Sequence, residues 1–203
     1  YYCLDEKHLV IYLLDVSGHG LKAALPSISA LNLLRSYKIN NVNYYQPKKV
    51  LESLNQSFTL TQRNNNYFTL WYGVYNLKNH QLLYANAGHP PAIVLNTNTT
   101  ESTILLECTG MPIGLFEEAK YKQKSCKIEA NCSFYVFSDG VYEIFDTNKK
   151  MLEFDGFLEL LQIYNQKQEN NLDQLLDMIK QKTQKDNFDD DLSIIEILFS
   201  NQL

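Results

Sequence analysis

Residues 13–25 read LLDVSGHGLKAAL. An apolar strand runs into Asp15, two glycines flank His19, and a helical pattern starts behind them. Two readings compete. The seam is a tight strand-to-helix turn with an acid in it, or Asp15 is held at a strand end to bind something. In the second reading Gly18 and Gly20 let the backbone come close.

Upstream, HLVIYLLD (8–15) is a continuous apolar run between polar residues and reads as a buried strand. Downstream, Leu21, Leu25, Ile28, Leu31 and Leu34 recur at helical spacing. Pro26 removes a hydrogen bond and crowds the preceding turn. The helix therefore starts near Ala23 or kinks at the proline. NNVNYYQ (40–46) is a loop, and Pro47 suits a first helical position. Val50, Leu51, Leu54 and Phe58 mark one face of a second helix, ended by RNNNYF.

YFTLWYGVYN (67–76) and QLLYANA (81–87) flank the polar LKNH as a hairpin. PAIVLN, STILLEC, YKQKSCKIE and SFYVFSD follow as short strands. DGFLELLQIYNQ (155–166) and NLDQLLDMIKQKT (171–183) are helical by period, and DLSIIEILFS (191–200) closes as a strand. Runs of strands with grouped helices indicate an α+β fold. The expected packing is two stacked, mainly antiparallel sheets flanked by helices, in a single domain over 1–203.

Composition narrows the function. Net charge is −5, and Arg35 and Arg63 are the two arginines, so the sequence presents no basic patch for nucleic acid. No apolar run approaches the ~20 residues of a membrane helix. YYCLDEKHLV lacks the basic and apolar regions of a secretion signal and reads as a cut within a longer protein. A cytoplasmic location is expected. Cys3, Cys108, Cys126 and Cys132 form no CxxC pair, which points to reduced thiols and away from zinc.

Three apolar strands meet acids at their ends: Asp15 after VIYLLD, Asp139 after FYVFSD, and Asp190 and Asp191 before LSIIEI. Strand ends of one sheet can converge, and clustered carboxylates repel unless a cation sits among them. Hard divalent cations prefer oxygen donors, so Mg²⁺ or Mn²⁺ fits better than zinc. Two such ions can polarise a phosphate ester and activate water, with no side-chain nucleophile.

DVSGHGLKAAL, NAGHPPAIVL, GMPIGL, FSDGVYEIFD and DDDLSIIEI occur in that order. Together they resemble the SpoIIE/RsbU-type serine phosphatases, a bacterial branch of the metal-dependent, type 2C-like protein phosphatases. The resemblance covers nearly the whole chain. It implies a β-sandwich flanked by helices and hydrolysis of protein phosphoserine or phosphothreonine with two Mn²⁺ or Mg²⁺ ions. Asp15 matches the family's metal-bridging aspartate, and the Val16 carbonyl its backbone ligand. Asp139 matches the aspartate of SDG, and Asp190 the first aspartate of the last motif. The resemblance also implies a phosphorylated anti-sigma-factor antagonist as substrate and an upstream sensor or receiver domain; a homodimer stays open. The family carries a further aspartate in a GGD motif before DVSGHG. Fourteen residues precede Asp15 and none spell GGD, so the expectation is that this aspartate lies upstream of Tyr1.

His19 could serve as acid or base, but is read as ordering the turn or lining the pocket. His89 is read as structural, and His8 and His80 as surface turn residues. Glu143, four residues after Asp139, would share its face if that segment turns helically. Asp189 and Asp191 are read as flanking the ligand. DNFDDDLS fails the calcium-loop pattern, since Phe188 and Asp191 fall where an acid and a glycine belong. Two rival readings are a phosphoprotein-binding module of the same fold with little or no turnover, and an ATP-binding kinase, whose glycine box the Asp15–Gly18 spacing misses by one residue.

Overall fold

The computed structural model describes residues 1–18, 21–36, 39, 42–61, 67–97, 103–167, 171–185, 187–188 and 190–200. The strands are β1 (Tyr2–Asp5), β2 (His8–Val16), β3 (Phe68–Asn76), β4 (Gln81–Ala87), β5 (Ala92–Asn96), β6 (Thr103–Leu106), β7 (Lys124–Lys127), β8 (Cys132–Phe137) and β9 (Ile194–Phe199). The helices are α1 (Leu21–Arg35), α2 (Pro47–Thr61), α3 (Glu153–Gln166) and α4 (Leu172–Thr183). They fall into two compact units: Tyr1–Pro91 with Leu106–Ile128, and Ala92–Leu105 with Glu129–Leu203. The architecture is α+β, with two antiparallel sheets and four helices, as the order of elements implies.

In the first unit the sheet runs β1-β2-β3-β4-β7. Its backbone is the long β2–β3 ladder, paired without interruption from His8↔Asn76 to Val16↔Phe68. Side chains alternate across a strand. Phe68, Leu70, Tyr72 and Val74 of β3 pack with Ala30 and Leu34 of α1 and Val50, Leu51, Leu54 and Phe58 of α2. Ile11, Trp71, Tyr75, Leu82 and Tyr84 have the opposite parity and are buried as well. Burial on both faces explains why β2 and β3 read as continuous apolar runs.

Of the two readings of helix α1, the start near Ala23 is not the one found: the helix begins at Leu21 and contains Pro26. The Ser27 and Ser29 hydroxyls donate to the Ala23 and Leu25 carbonyls, each at 2.9 Å, capturing carbonyls around the proline. Strand β1 was not anticipated. Its four residues are too short to show a pattern, and pairing with β2 (Tyr2↔Val10) creates it.

The second unit holds the sheet β6-β5-β8-β9. Ile93 and Leu95 of β5 and Tyr135 and Phe137 of β8 pack with Phe157, Leu161 and Tyr164 of α3 and Leu175 and Ile179 of α4. The Phe137 and Phe157 rings meet edge to face at 4.8 Å. Burial of each such side chain contributes roughly 1.5–3 kcal/mol. Asn171 caps α4 by accepting from the Asp173 amide at 3.0 Å. Glu196 of β9 accepts from the Tyr135 and Tyr164 hydroxyls at 2.7 and 3.1 Å. Burial, and then this carboxylate, push the Tyr135 phenol up from its ordinary pKa.

Candidate active site

In the first unit Asp15 is the penultimate residue of β2, opposite Thr69, and Val16 lies opposite Phe68. The chain leaves the strand by a tie at Ser17, whose amide and hydroxyl both donate to the Tyr67 carbonyl at 3.1 and 2.8 Å. Gly18 follows at φ +90°, in the left-handed region that favours glycine, and a methyl there would meet nothing within 4 Å. Glycine is thus required by the backbone conformation, and the space beside it is open. His19 and Gly20 lie outside the described residues.

The Asp15 backbone is braced from behind. The Thr69 hydroxyl lies 3.5 Å from the Asp15 carbonyl and 2.8 Å from His89 Nδ1. His89 is buried, and its backbone is clasped by Asn86. The His89 amide donates to Asn86 Oδ1, and Asn86 Nδ2 donates to the His89 carbonyl, both at 2.7 Å. Thr69 and Asn86 thus hold both the ring and the backbone of His89.

The GMPIGL segment meets the same end. Phe68 exchanges backbone hydrogen bonds with Ile113 at 3.1 and 2.8 Å. Asn55 of α2 accepts from the Gly114 amide at 2.9 Å and donates to the Phe116 carbonyl at 2.8 Å. Three motifs far apart in sequence, around Asp15, His89 and Ile113, thus converge on one sheet end. Thr69, Asn86 and Asn55 were missed by the sequence reading. Each left a faint signal: a polar residue inside an apolar strand, inside a quoted motif, and on an apolar helix stripe.

In the second unit Asp139 is half-buried and opens a short 3₁₀ turn, Asp139–Val141, directly after β8. Its carbonyl accepts from the Tyr142 and Glu143 amides, both at 2.9 Å. Burial first, and then the Asp139 and Glu143 carboxylates, push the Tyr142 phenol up to about 12. Glu143 itself is exposed. Beside the turn runs the segment that leads into β9. The Ser138 amide donates to the Ser193 carbonyl at 2.9 Å, and the Ser193 amide donates to Ser138 Oγ at 3.0 Å. A Cβ on Gly140 would stand 2.5 Å from the Asp191 carbonyl, so the two segments touch. Asp190 is exposed, and its Oδ1 accepts from the Asp191 amide at 2.8 Å. Asp189 lies outside the described residues.

Each unit therefore presents acid near a strand end: Asp15, beside Val16, closes β2 in the first, and in the second Asp139 follows β8 while Asp190 lies in the segment that leads into β9. The candidate donors are all oxygens, a set that would suit a hard cation such as Mg²⁺ or Mn²⁺ better than zinc. Among the described residues no three His, Cys, Asp or Glu side chains are gathered closely enough to hold a metal by themselves.

Residues 5–199 match the family model described as Stage II sporulation protein E (SpoIIE). The chain belongs to the SpoIIE family. This SpoIIE-family chain is 30% identical over 147 residues to the phosphoserine phosphatase RsbP of Bacillus subtilis (strain 168), covering 70% of this chain and 35% of the relative. It is 30% identical over 156 residues to the phosphoserine phosphatase RsbU of the same organism, covering 76% of this chain and 43% of the relative. The chain thus spans well under half the length of either protein. Among solved structures, the SiaA-PP2C domain of Pseudomonas aeruginosa superposes with a TM-score of 0.78 at 16% identity, over 95% of this chain and 80% of that one. RsbX in complex with magnesium superposes with a TM-score of 0.64 at 18% identity, over 95% and 81%. These likenesses establish a PP2C-type fold, and the family expected from the ordered motifs is the one found.

Proposed function

We propose that residues 1–203 act as one metal-dependent phosphatase domain that hydrolyses phosphoserine or phosphothreonine on a regulatory protein. The observation that carries this reading is the convergence of the Asp15, His89 and Ile113 motifs on one strand end. The SDG segment clasped against the DDDLS segment supports it, as do relatives named as phosphoserine phosphatases.

In this reading Asp15, the Val16 carbonyl, Asp139 and Asp190 are the oxygen donors to Mn²⁺ or Mg²⁺. A divalent cation bound there would supply Lewis-acid polarisation of the phosphate ester and acidify a water. The protein's own residues do the positioning. Thr69 and His89 hold the Asp15 backbone, and Gly18 leaves room for the ester. The Ser138–Ser193 clasp fixes where Asp139 emerges. No Cys, Ser or His of the chain is assigned as nucleophile. The substrate proposed is a phosphorylated anti-sigma-factor antagonist in a partner-switching pathway, under control of an upstream sensor or receiver domain. Among the described residues no helix is long and apolar enough to cross a membrane; a cytoplasmic site of action is part of the proposal.

The test is phosphate release from a phosphoserine-bearing protein by the full-length protein, with and without Mn²⁺. Release that requires the metal is the expected result. Saturable binding of the phosphoprotein with no metal-dependent release would replace the enzyme by a binding module of the same fold.

A further inference from the structure

The GMPIGL segment and the Phe116 that follows it are held firmly, yet they turn large apolar side chains to solvent. Met111 is 52% exposed, Leu115 41% and Phe116 54%. The backbone beneath them is anchored at three places. Ile113 and Phe68 exchange backbone hydrogen bonds at 3.1 and 2.8 Å. Asn55 accepts from the Gly114 amide and donates to the Phe116 and Glu117 carbonyls at 2.8 and 3.2 Å. A Cβ on Gly110 would run into the Asn86 carbonyl, so the segment also lies against β4. Folding accounts for Ile113, which is fully buried. It does not account for three large neighbours left in water. Single exposed apolar residues are ordinary, but several together on a fixed segment mark an interaction surface.

Its place says what covers it. Phe68 pairs with Val16 on one side and with Ile113 on the other. Ile113 thus stands two strand spacings from Val16, roughly 10 Å at about 4.8 Å each. A specific protein–protein contact buries about 800 Å² on each partner, a disc of roughly 16 Å radius. A protein that brings a phosphorylated side chain to the Asp15 end therefore covers the Ile113 segment as well. Glu117 and Glu118 follow Phe116, both exposed, with one cation, Lys120, close behind in the chain. Neither carboxylate forms an ion pair among the described residues. They favour a partner that sets basic residues beside its apolar contact.

We propose that Met111, Leu115 and Phe116 dock the phosphoprotein substrate. They take an apolar side chain near its phosphorylated residue, and a lysine or arginine of the substrate meets Glu117 and Glu118. The inference rests on the hydrolytic reading of the Asp15 end and adds which substrates that end accepts. These residues touch the substrate away from the phosphate and take no part in the chemical step.

The test is steady-state turnover by the full-length protein with Mn²⁺, on p-nitrophenyl phosphate and on two phosphoserine peptides. One peptide carries leucine and lysine around the phosphoserine; the other carries serine at those positions. p-Nitrophenyl phosphate is too short to reach the Ile113 segment. The leucine–lysine peptide is expected to show a KM about tenfold lower, the order gained by covering one large apolar side chain. Leu115→Ser and Phe116→Ser each raise that KM and narrow the preference, with kcat and the rate on p-nitrophenyl phosphate as in the parent. Leu77→Ser, at 48% exposure on the β3–β4 turn at the other end of the sheet, changes nothing. If either serine variant melts early, Glu117→Lys, which alters an exposed side chain, is read in its place and raises the KM of the lysine-bearing peptide. Equal KM for the two peptides with the parent overturns the docking surface. So does a preference that survives Leu115→Ser and Phe116→Ser, or an equal loss on p-nitrophenyl phosphate. If the parent hydrolyses none of the probes, the hydrolytic reading fails alone, and the peptides' affinities by fluorescence anisotropy decide the docking surface through the same comparison.

Discussion

Asp15 and Asp139 both come at the end of an apolar strand, yet different structures hold them. Asp15 is still inside its ladder, paired with Thr69 at the end of a nine-residue strand. Its backbone position is set by the sheet and backed by Thr69 and His89. Asp139 lies one residue past the last residue before its 3₁₀ turn, outside β8. It is placed by two hydrogen bonds between Ser138 and Ser193 and by a glycine that fits against the Asp191 carbonyl. A long ladder distributes its load over many bonds, whereas a local clasp depends on each one. The Asp139 end should therefore be the more easily broken of the two.

The largest expected effect falls on both ends alike. Asp15→Asn and Asp139→Asn should each lower Mn²⁺-dependent kcat/KM at least about 10³-fold, on the order of 4 kcal/mol of transition-state stabilisation, with melting temperatures close to the parent's. Steady-state kinetics beside thermal melts would check this. Retention of parental activity by either variant would remove that acid from the site.

The glycines sharpen the contrast in stability. Gly140→Ala drives a methyl to 2.5 Å from the Asp191 carbonyl and should cost about 1–3 kcal/mol in urea denaturation. Gly18→Ala meets open space but keeps a positive φ, and should cost about 1 kcal/mol. Equal costs would mean that crowding at Gly140 is relieved by movement of the Asp191 segment.

The braces come next. Ser138→Ala and Thr69→Val each remove one hydrogen-bonding hydroxyl, worth about 1 kcal/mol. If the clasp matters more than the ladder, Ser138→Ala reduces turnover further than Thr69→Val. The reverse order would undo the comparison.

The smallest effect tests an acid at neither end. Asp5 accepts from the Lys7 amide at 2.7 Å, from His8 Nδ1 at 2.9 Å and from the Tyr45 hydroxyl. The Lys7 amide first, then His8, lower its pKa from 3.8 to about 2. A depressed carboxylate contributes stability that is complete above its unfolded value and is lost as pH falls through its folded one. The difference in urea midpoint between parent and Asp5→Asn should therefore hold steady above pH 3.8 and shrink toward pH 2. Because Asp5 is solvent-exposed, the difference should be small and weakened by salt.

Much of the fold was legible because its elements carry strong local signals. The β3–β4 hairpin, Pro47 at the start of α2, and α3 and α4 all lie within a few residues of where pattern put them. Strand β9 was drawn too long. It begins at Ile194, because Ser193 is engaged with Ser138 instead. His8, read both as opening the strand 8–15 and as a surface turn residue, is the first residue of β2, its ring bonded to Asp5 and Asn76. Such errors share a cause: a polar residue near a strand end looks the same in sequence whether it ends the strand or pairs within it.

The order of motifs and the apolar periods by themselves determined the family, the α+β class and the acids worth examining, since hydrophobic patterning and turn residues act over a few neighbours. Only the tertiary structure decided that Thr69 stands behind Asp15, that Asn55 holds the GMPIGL segment, and that Val16 and Ile113 flank Phe68. Those relations join residues tens of positions apart. Their partners are chosen by strand register and helix placement, which no local stretch of the chain contains.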